Sequence, residues 1–231
     1  MKVAVLFSGG KDSTLAAKYC IDRGWDVTLV SVKPPSVEAY IWHYPTVELT
    51  KLSAQALGLP HIYVECPSIG PEEEASVLEG VFAANGFDAV VLGGVGLQET
   101  QIREVKETAK KYGMQTIVPY AHLSSEELLK LEIESGLDIM LTEVAAGGLT
   151  RDLLGRRIDE GMLGTLQSLS SKHGFDALGE GGAYNTFVCD APFFSAKVAI
   201  TDSEIRWDEK TRSGYVVAQA KLVKKVHNVL V

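Results

Sequence analysis

Cysteine is scarce in this chain. Cys20, Cys66 and Cys189 are the three in 231 residues, and no two of them form a C-x-x-C pair. That excludes a disulfide framework and a zinc ribbon. Cys20 falls inside the first expected helix, and nothing beside Cys66 or Cys189 looks built to activate a thiol. Apolar runs of membrane length are also missing, and no basic-then-apolar leader precedes the first strand. The expectation is a cytoplasmic protein with no membrane partner. Positive charge is in deficit: 22 basic residues face 30 acidic ones, for a net charge of −8. That weighs against general nucleic-acid binding. No internal repeat or low-complexity tract is visible.

What is present is concentrated first in Val3 to Lys18, VAVLFSGGKDSTLAAK. The apolar run Val3 to Phe7 reads as a buried parallel strand. It stops at Ser8-Gly9-Gly10, and a helical pattern follows with Leu15, Ala16 and Tyr19 on one face. A strand, a glycine turn and a helix N-terminus form an anion site: unpaired N–H groups and the positive end of the helix dipole face one spot. Ser8 and Ser13 add hydroxyls, and Lys11 adds charge. The spacing is neither that of a Walker loop nor that of a dinucleotide G-x-G-x-x-G.

Strands and helices then alternate. Trp25 to Val32, His61 to Glu65, Ala89 to Leu92 and Thr116 to Val118 read as strands. Glu48 to Leu57, Glu72 to Asn85 and Leu97 to Tyr112 read as helices. Alternation of this kind implies a parallel sheet covered on both faces, with its ligand at the carboxyl ends of the strands. SGGKDS, Val32-Lys33, the start of the aromatic loop Tyr40 to Pro45, and Gly93-Gly94 all fall at such ends. Beyond Pro119 the pattern changes. Ser124 and Glu127 form a capping box for a helix through Ile133. Asp138 to Val144 is a strand, Met162 to Lys172 a helix, and Phe187 to Cys189 is extended. Lys197 to Arg206 and Tyr215 to Val223 form an antiparallel hairpin joined by a turn from Trp207 to Gly214.

SGGKDS resembles the SGGxDS pyrophosphate loop of the ATP pyrophosphatase (PP-loop) superfamily. Four later segments, residues 40–60, 91–120, 142–159 and 180–194, resemble in order the diphthine–ammonia ligase family, the diphthamide synthetases. The resemblance implies an α/β fold. An ATP pyrophosphatase domain of the HUP-like (adenine nucleotide α-hydrolase-like) type would span residues 1–120, and a smaller α+β acceptor-substrate domain residues 121–231. It implies ATP and Mg²⁺ as cofactors, with translation elongation factor 2 and ammonium as partners. The implied reaction attaches AMP to the diphthine carboxylate, releases pyrophosphate, and lets ammonia displace AMP. No separate glutaminase domain fits in the chain, so free ammonium is the expected nitrogen source.

On that basis Ser8, Gly9, Gly10, Lys11, Asp12 and Ser13 are expected to bind ATP and its pyrophosphate, with Asp12 the candidate magnesium ligand. Val32, Gly93 and Gly94 are expected at the adenine. His43, Arg103, Glu180, Gly181, Gly182 and Tyr184 are the candidate acceptor-binding or catalytic residues. Tyr40 and Trp42 border the crevice. A carboxylate and an aromatic face suit a trimethylammonium group. Two departures stand out. Ala183 and Asn185 occupy positions where the family pattern carries acidic residues, and Gly96-Leu97-Gln98-Glu99 replaces a Ser-x-Tyr-Gln run. Other readings stay open: a PP-loop ligase or tRNA-modifying enzyme with another acceptor, or a nucleotide-binding module without turnover. A homo-oligomer also stays open.

Overall fold

The computed structural model describes residues 1–39, 41–96 and 99–225. Tyr40, Leu97 (the expected first residue of a helix) and the last six residues of the expected C-terminal domain lie outside the described residues. The chain opens with β1 (Lys2–Leu6), α1 (Lys11–Asp22), β2 (Asp26–Lys33), α2 (Thr50–Leu57), β3 (His61–Glu65), α3 (Pro71–Asn85), β4 (Ala89–Val91), α4 (Glu99–Lys111) and β5 (Gln115–Ile117). The five strands are all parallel, in the order β3-β2-β1-β4-β5.

The period of two along a strand explains why both faces are covered. Val3, Val5 and Phe7 face one side with Ala16, Ala17 and Cys20 of α1. Ala4 and Leu6 face the other, with Leu78 and Phe82 of α3 and Val105 and Ala109 of α4. The chain builds outward from β1 through β2 and β3, then returns to the far side of β1 with β4. The reversal puts a switch point between β1 and β4, where the loops leaving the two strands part and open a crevice.

The second part holds α5 (Ser125–Glu134), β6 (Asp138–Val144), β7 (Arg157–Ile158), α6 (Glu160–His173), β8 (Tyr184–Asp190), β9 (Ala196–Asp208) and β10 (Ser213–Lys224). The expected capping box is formed, with Ser124 and Glu127 exchanging hydrogen bonds. Strand β6 pairs with β8 along one edge, while β7 and β10 share its other edge near Ile139 and Val144. The β9–β10 hairpin is longer than its alternation suggested, so Trp207, Asp208, Ser213 and Gly214 belong to strands. Strand β7 has too few residues for a periodic signal and was not expected. Glu48 and Leu49 lie in a short 3-10 turn, Val47–Leu49, ahead of α2.

The two parts share a core. Leu15, Leu49 and Ala56 pack with Leu129, Leu141 and Phe187. Backbone bonds stitch the parts together as well: the Val188 N–H donates to the Gly9 carbonyl at 2.8 Å, and the Ser195 N–H to the Ala56 carbonyl at 2.7 Å. Strand β8 therefore backs the SGGKDS loop directly.

Candidate active site

The loop is shaped by what lies behind it. Gly9 holds φ +77, and a Cβ there would sit 2.8 Å from the Phe187 ring. Only glycine satisfies both the backbone and the strand behind it. Gly10 is the N-cap of α1 and brings no capping side chain of its own. The Lys11 N–H donates to the Thr186 hydroxyl (3.2 Å), the Ser13 hydroxyl donates to the Gly10 carbonyl (3.1 Å), and the Ser8 and Ser13 hydroxyls lie 3.2 Å apart. The serine hydroxyls and the first turn of α1 stand at the edge of the crevice, as an anion site requires.

The crevice between β1 and β4 is lined by Ser8, Asp12, Ser13, Val32, Trp42, His43, Gly93 and Gly94, among others. Ser8, Asp12 and Ser13, expected at phosphate, thus meet Val32, Gly93 and Gly94, expected at adenine, from three separate strand ends, while Gly10 and Lys11 line the small pocket under the loop and Gly9 lines neither. Gly93 is required by close approach: a Cβ there would lie 2.5 Å from the Asp12 carbonyl carbon and 2.7 Å from the Ser13 nitrogen. The loop after β4 therefore packs directly on the first turn of α1.

Lys11 differs from its expected role as a free charge for phosphate. Its side chain is 2% exposed, with Nζ 2.8 Å from Asp12 Oδ2, 3.6 Å from Glu132 Oε2 and 5.8 Å from the centre of the Tyr184 ring. Burial alone would lower its pKa; the charges of Asp12 and Glu132 outweigh burial and hold it above the usual lysine range. Glu132 is fully buried and its carboxyl is pushed well up, by burial first and then by the charge of Asp12. Neither carboxyl oxygen of Glu132 has a hydrogen-bond partner among the described residues, and the same holds for Asp12 Oδ1.

That orphaned Asp12 oxygen bears on magnesium. Among the described residues there is no group of three or more His, Cys, Asp or Glu side chains suited to a metal. Magnesium at phosphate sites is ordinarily held by one or two carboxylates, phosphate oxygens and water. Asp12, on the crevice wall with an unsatisfied oxygen, fits that donor set.

The aromatic loop is tied down from outside. The Ile41 N–H donates to Glu74 Oε2 (2.7 Å), the Trp42 indole N–H to the Glu74 carbonyl (3.0 Å), and the Gln101 amide to the Ile41 carbonyl (2.9 Å). His43 consequently stands where three cavities meet, the crevice, a small pocket under the loop and a larger cavity beside it. Burial lowers the His43 pKa, opposed by the charge of Asp12 and reinforced by that of Lys11.

The larger cavity, about 610 Å³, is lined by Trp42, His43, Tyr44, Gln101, Glu143, Gly181, Gly182 and Asn185, among others. Glu180 is 7% exposed, and its Oε1 accepts from the Val95 N–H at 2.7 Å, joining the Gly181-Gly182 turn to the loop after β4. Three expected acceptor residues do not line this cavity. Glu180 and Tyr184 line instead the small pocket shared with Ser8, Lys11, Asp12 and His43, where Tyr184 is buried with its hydroxyl donating to the Ala177 carbonyl at 2.6 Å. Arg103 lies on the exposed face of α4, paired with Glu104 at 2.8 Å, and lines neither the crevice nor the cavity. Glu74, Gln101, Glu132, Glu143 and Thr186 were not singled out from the sequence. Glu143 left one signal, a carboxylate inside the otherwise apolar end of β6.

A five-stranded parallel sheet in this order, with SGGKDS at its first strand–helix turn, is the architecture of the PP-loop class. Models of the diphthamide synthase N-terminal domain and C-terminal domain match residues 1–116 and 124–223. The chain belongs to the diphthamide synthase family. A protein of Danio rerio named diphthine–ammonia ligase is 32% identical over 226 residues, 88% of each chain. One of Homo sapiens with the same name is 29% identical over 228 residues, covering 89% of this chain and 85% of the relative. A crystal structure described as a predicted subunit of a tRNA methyltransferase, from Methanocaldococcus jannaschii, aligns with a TM-score of 0.48 at 18% identity, over 83% of this chain and 98% of that one.

Proposed function

We propose that the chain is an ATP-dependent amide ligase that converts diphthine on translation elongation factor 2 to diphthamide. The observation that carries this reading is the continuity of the site. A phosphate-type loop and the first turn of α1 open onto a crevice, and His43 joins that crevice to a cavity roomy enough for an acceptor side chain.

In this reading ATP lies across the carboxyl ends of β1 and β4. The adenine rests near Val32 and Gly93-Gly94, and the β and γ phosphates meet Ser8, Gly9, Gly10 and Ser13. The acceptor carboxylate attacks the α-phosphorus, forming the acyl–phosphate bond as the bond to pyrophosphate breaks. Backbone N–H groups and the α1 dipole stabilise the charge that collects on the leaving pyrophosphate. Bound magnesium, with Asp12 among its ligands, would supply further neutralisation of that charge. Ammonia then forms the C–N bond, and the electrons of the broken C–O bond leave with AMP. No nucleophilic side chain is needed, and the three cysteines are buried. The thiols of Cys20 and Cys189 are pushed up to about 12 and about 11, by burial in each case, which suits no thiol-based transfer. Among the described residues no helix is long and apolar enough to cross a membrane.

The test is product analysis with Mg-ATP, ammonium and elongation factor 2 carrying unamidated diphthine. AMP, pyrophosphate and amidated factor together support the reading. AMP with only some other carboxylate would keep the chemistry and change the acceptor.

A further inference from the structure

The cavity beside the loop carries the wrong charge for a simple carboxylate ligand. Glu99 and Glu143 are on its wall, and none of its described lining residues is Lys or Arg. Glu143 sits opposite Asn185 in the β6–β8 register, and the Asn185 amide donates to Glu143 Oε2 at 2.6 Å. Asn185 also lines the small pocket shared with Ser8, Lys11 and Asp12, so Glu143 is one residue removed from the phosphate loop. An acceptor must bring a carboxylate to this place to be joined to AMP. In an anionic cavity that carboxylate is repelled unless the same molecule carries a compensating cation.

We infer that Glu143 is the specificity-determining counter-ion for a cationic, quaternary-ammonium arm of the acceptor, so that the site selects a betaine-type zwitterion over a plain carboxylate. The inference rests on the ligase reading and assigns it a residue. It also accounts for the two neutral positions in the following turn. Ala183 is buried, and Asn185 serves as the hydrogen-bond donor that orients Glu143, so the negative charge resides on β6 instead of β8. Burial raises the Glu143 carboxyl, opposed by the Asn185 bond, as expected for a half-buried anion that has no cation beside it. A quaternary ammonium accepts no hydrogen bond and donates none, so a carboxylate and the Trp42 and Tyr44 walls are the partners it can use.

The experiment needs no turnover. Binding of the zwitterion 2-(trimethylammonio)butanoate to the whole protein is measured by calorimetry or ligand NMR, beside its carbon isostere, in which a tert-butyl group replaces the trimethylammonium and only the carboxylate charge remains. The proposal expects the cationic probe to bind the wild type and the isostere to bind about tenfold more weakly. Glu143→Gln should remove that preference while ATP affinity and Tm are kept. In the Glu143→Gln background, Asn185→Asp should restore the preference by moving the charge across the β6–β8 pair, which a purely packing role for Glu143 would not permit. Equal binding of both probes, no binding of the cationic probe, or a preference that survives Glu143→Gln would each overturn the proposal. In the amidation assay Glu143→Gln should raise KM for the factor and leave KM for ammonium unchanged; a raised ammonium KM instead would place the small cation, not the acceptor, at Glu143. Failure of the wild type to make AMP from the factor would count against the ligase reading alone, since probe binding is read independently.

Discussion

Lys11 shows how far a side chain can depart from its motif. Between Gly10 and Asp12 it reads as a phosphate cation, yet it lies under the loop between two carboxylates. Its partner Glu132 is on α5, far along the chain, so no local pattern announces the pair. Removing one member of a buried pair leaves an uncompensated charge. Lys11→Met should therefore destabilise the fold by about 3–5 kcal/mol in denaturant unfolding. The variant should also change the pH dependence. Glu132 is held above its ordinary 4.5, so the folded state binds the proton more tightly than the unfolded chain. Such a group favours folding below about pH 4.5 and loses that contribution as pH rises toward its folded pKa. Without Lys11 the carboxyl rises further, and the stability of Lys11→Met should fall more steeply than that of the wild type as pH is raised through the range above 4.5. A parallel pH profile for the two proteins would show that Lys11 and Glu132 are not coupled. Gly93 makes a sharper residue-level test. Gly93→Ala places a methyl 2.5 Å from the Asp12 carbonyl carbon, and displacing a positioning element by about 1 Å is expensive. ATP affinity should drop about tenfold or more; unchanged affinity by calorimetry would remove the loop after β4 from the nucleotide site.

At the scale of elements, much was legible. The three central strands β1, β2 and β4 announce themselves as short apolar runs because they are buried on both faces, while the edge strands β3 and β5 are only partly buried. β3 begins and ends where its pattern does, and β6 does as well. The Ser124 capping box was readable because both of its bonds are local. Ser124→Ala should lower Tm by about 2–4 °C and leave ATP affinity alone, since the cap lies two turns from Glu132, the α5 residue that reaches the loop through Lys11; a loss of ATP affinity would contradict that separation. Illegible features were those that depend on distant partners. β7 is two residues long and exists because β6 offers it an edge. The hairpin strands extend past their alternation because each residue has a partner across the ladder. The aromatic loop was expected to border the crevice, and Trp42 does; what the sequence does not announce is that Glu74 and Gln101 tie the loop down from outside. Tyr184, expected on the acceptor side, packs into the core cluster and reaches only the small pocket under the phosphate loop.

At the scale of the molecule, the crevice follows from chain order alone. A sheet that grows to one side of β1 and then the other must leave a gap at the reversal, and SGGKDS and Gly93-Gly94 stand at its two lips. The second part does not hang from the first. β8 hydrogen-bonds to the loop, and the two parts bury a common cluster around Leu129 and Phe187. The larger cavity, where the proposed function places the acceptor, has walls from the aromatic loop, α4, β6 and the Gly181-Gly182 turn. The central claim is that this joined site forms an acyl–AMP bond and passes the acyl group to ammonia. The most direct measurement incubates the protein with Mg-ATP, ammonium and elongation factor 2 bearing unamidated diphthine, and follows AMP, pyrophosphate and the mass of the factor together. The account predicts AMP, pyrophosphate and amidated factor in equal amounts when ammonium is present, with repeated turnover dependent on ammonium. ATP binding with no AMP from this factor, or AMP formed without amidation when ammonium is present, would contradict it.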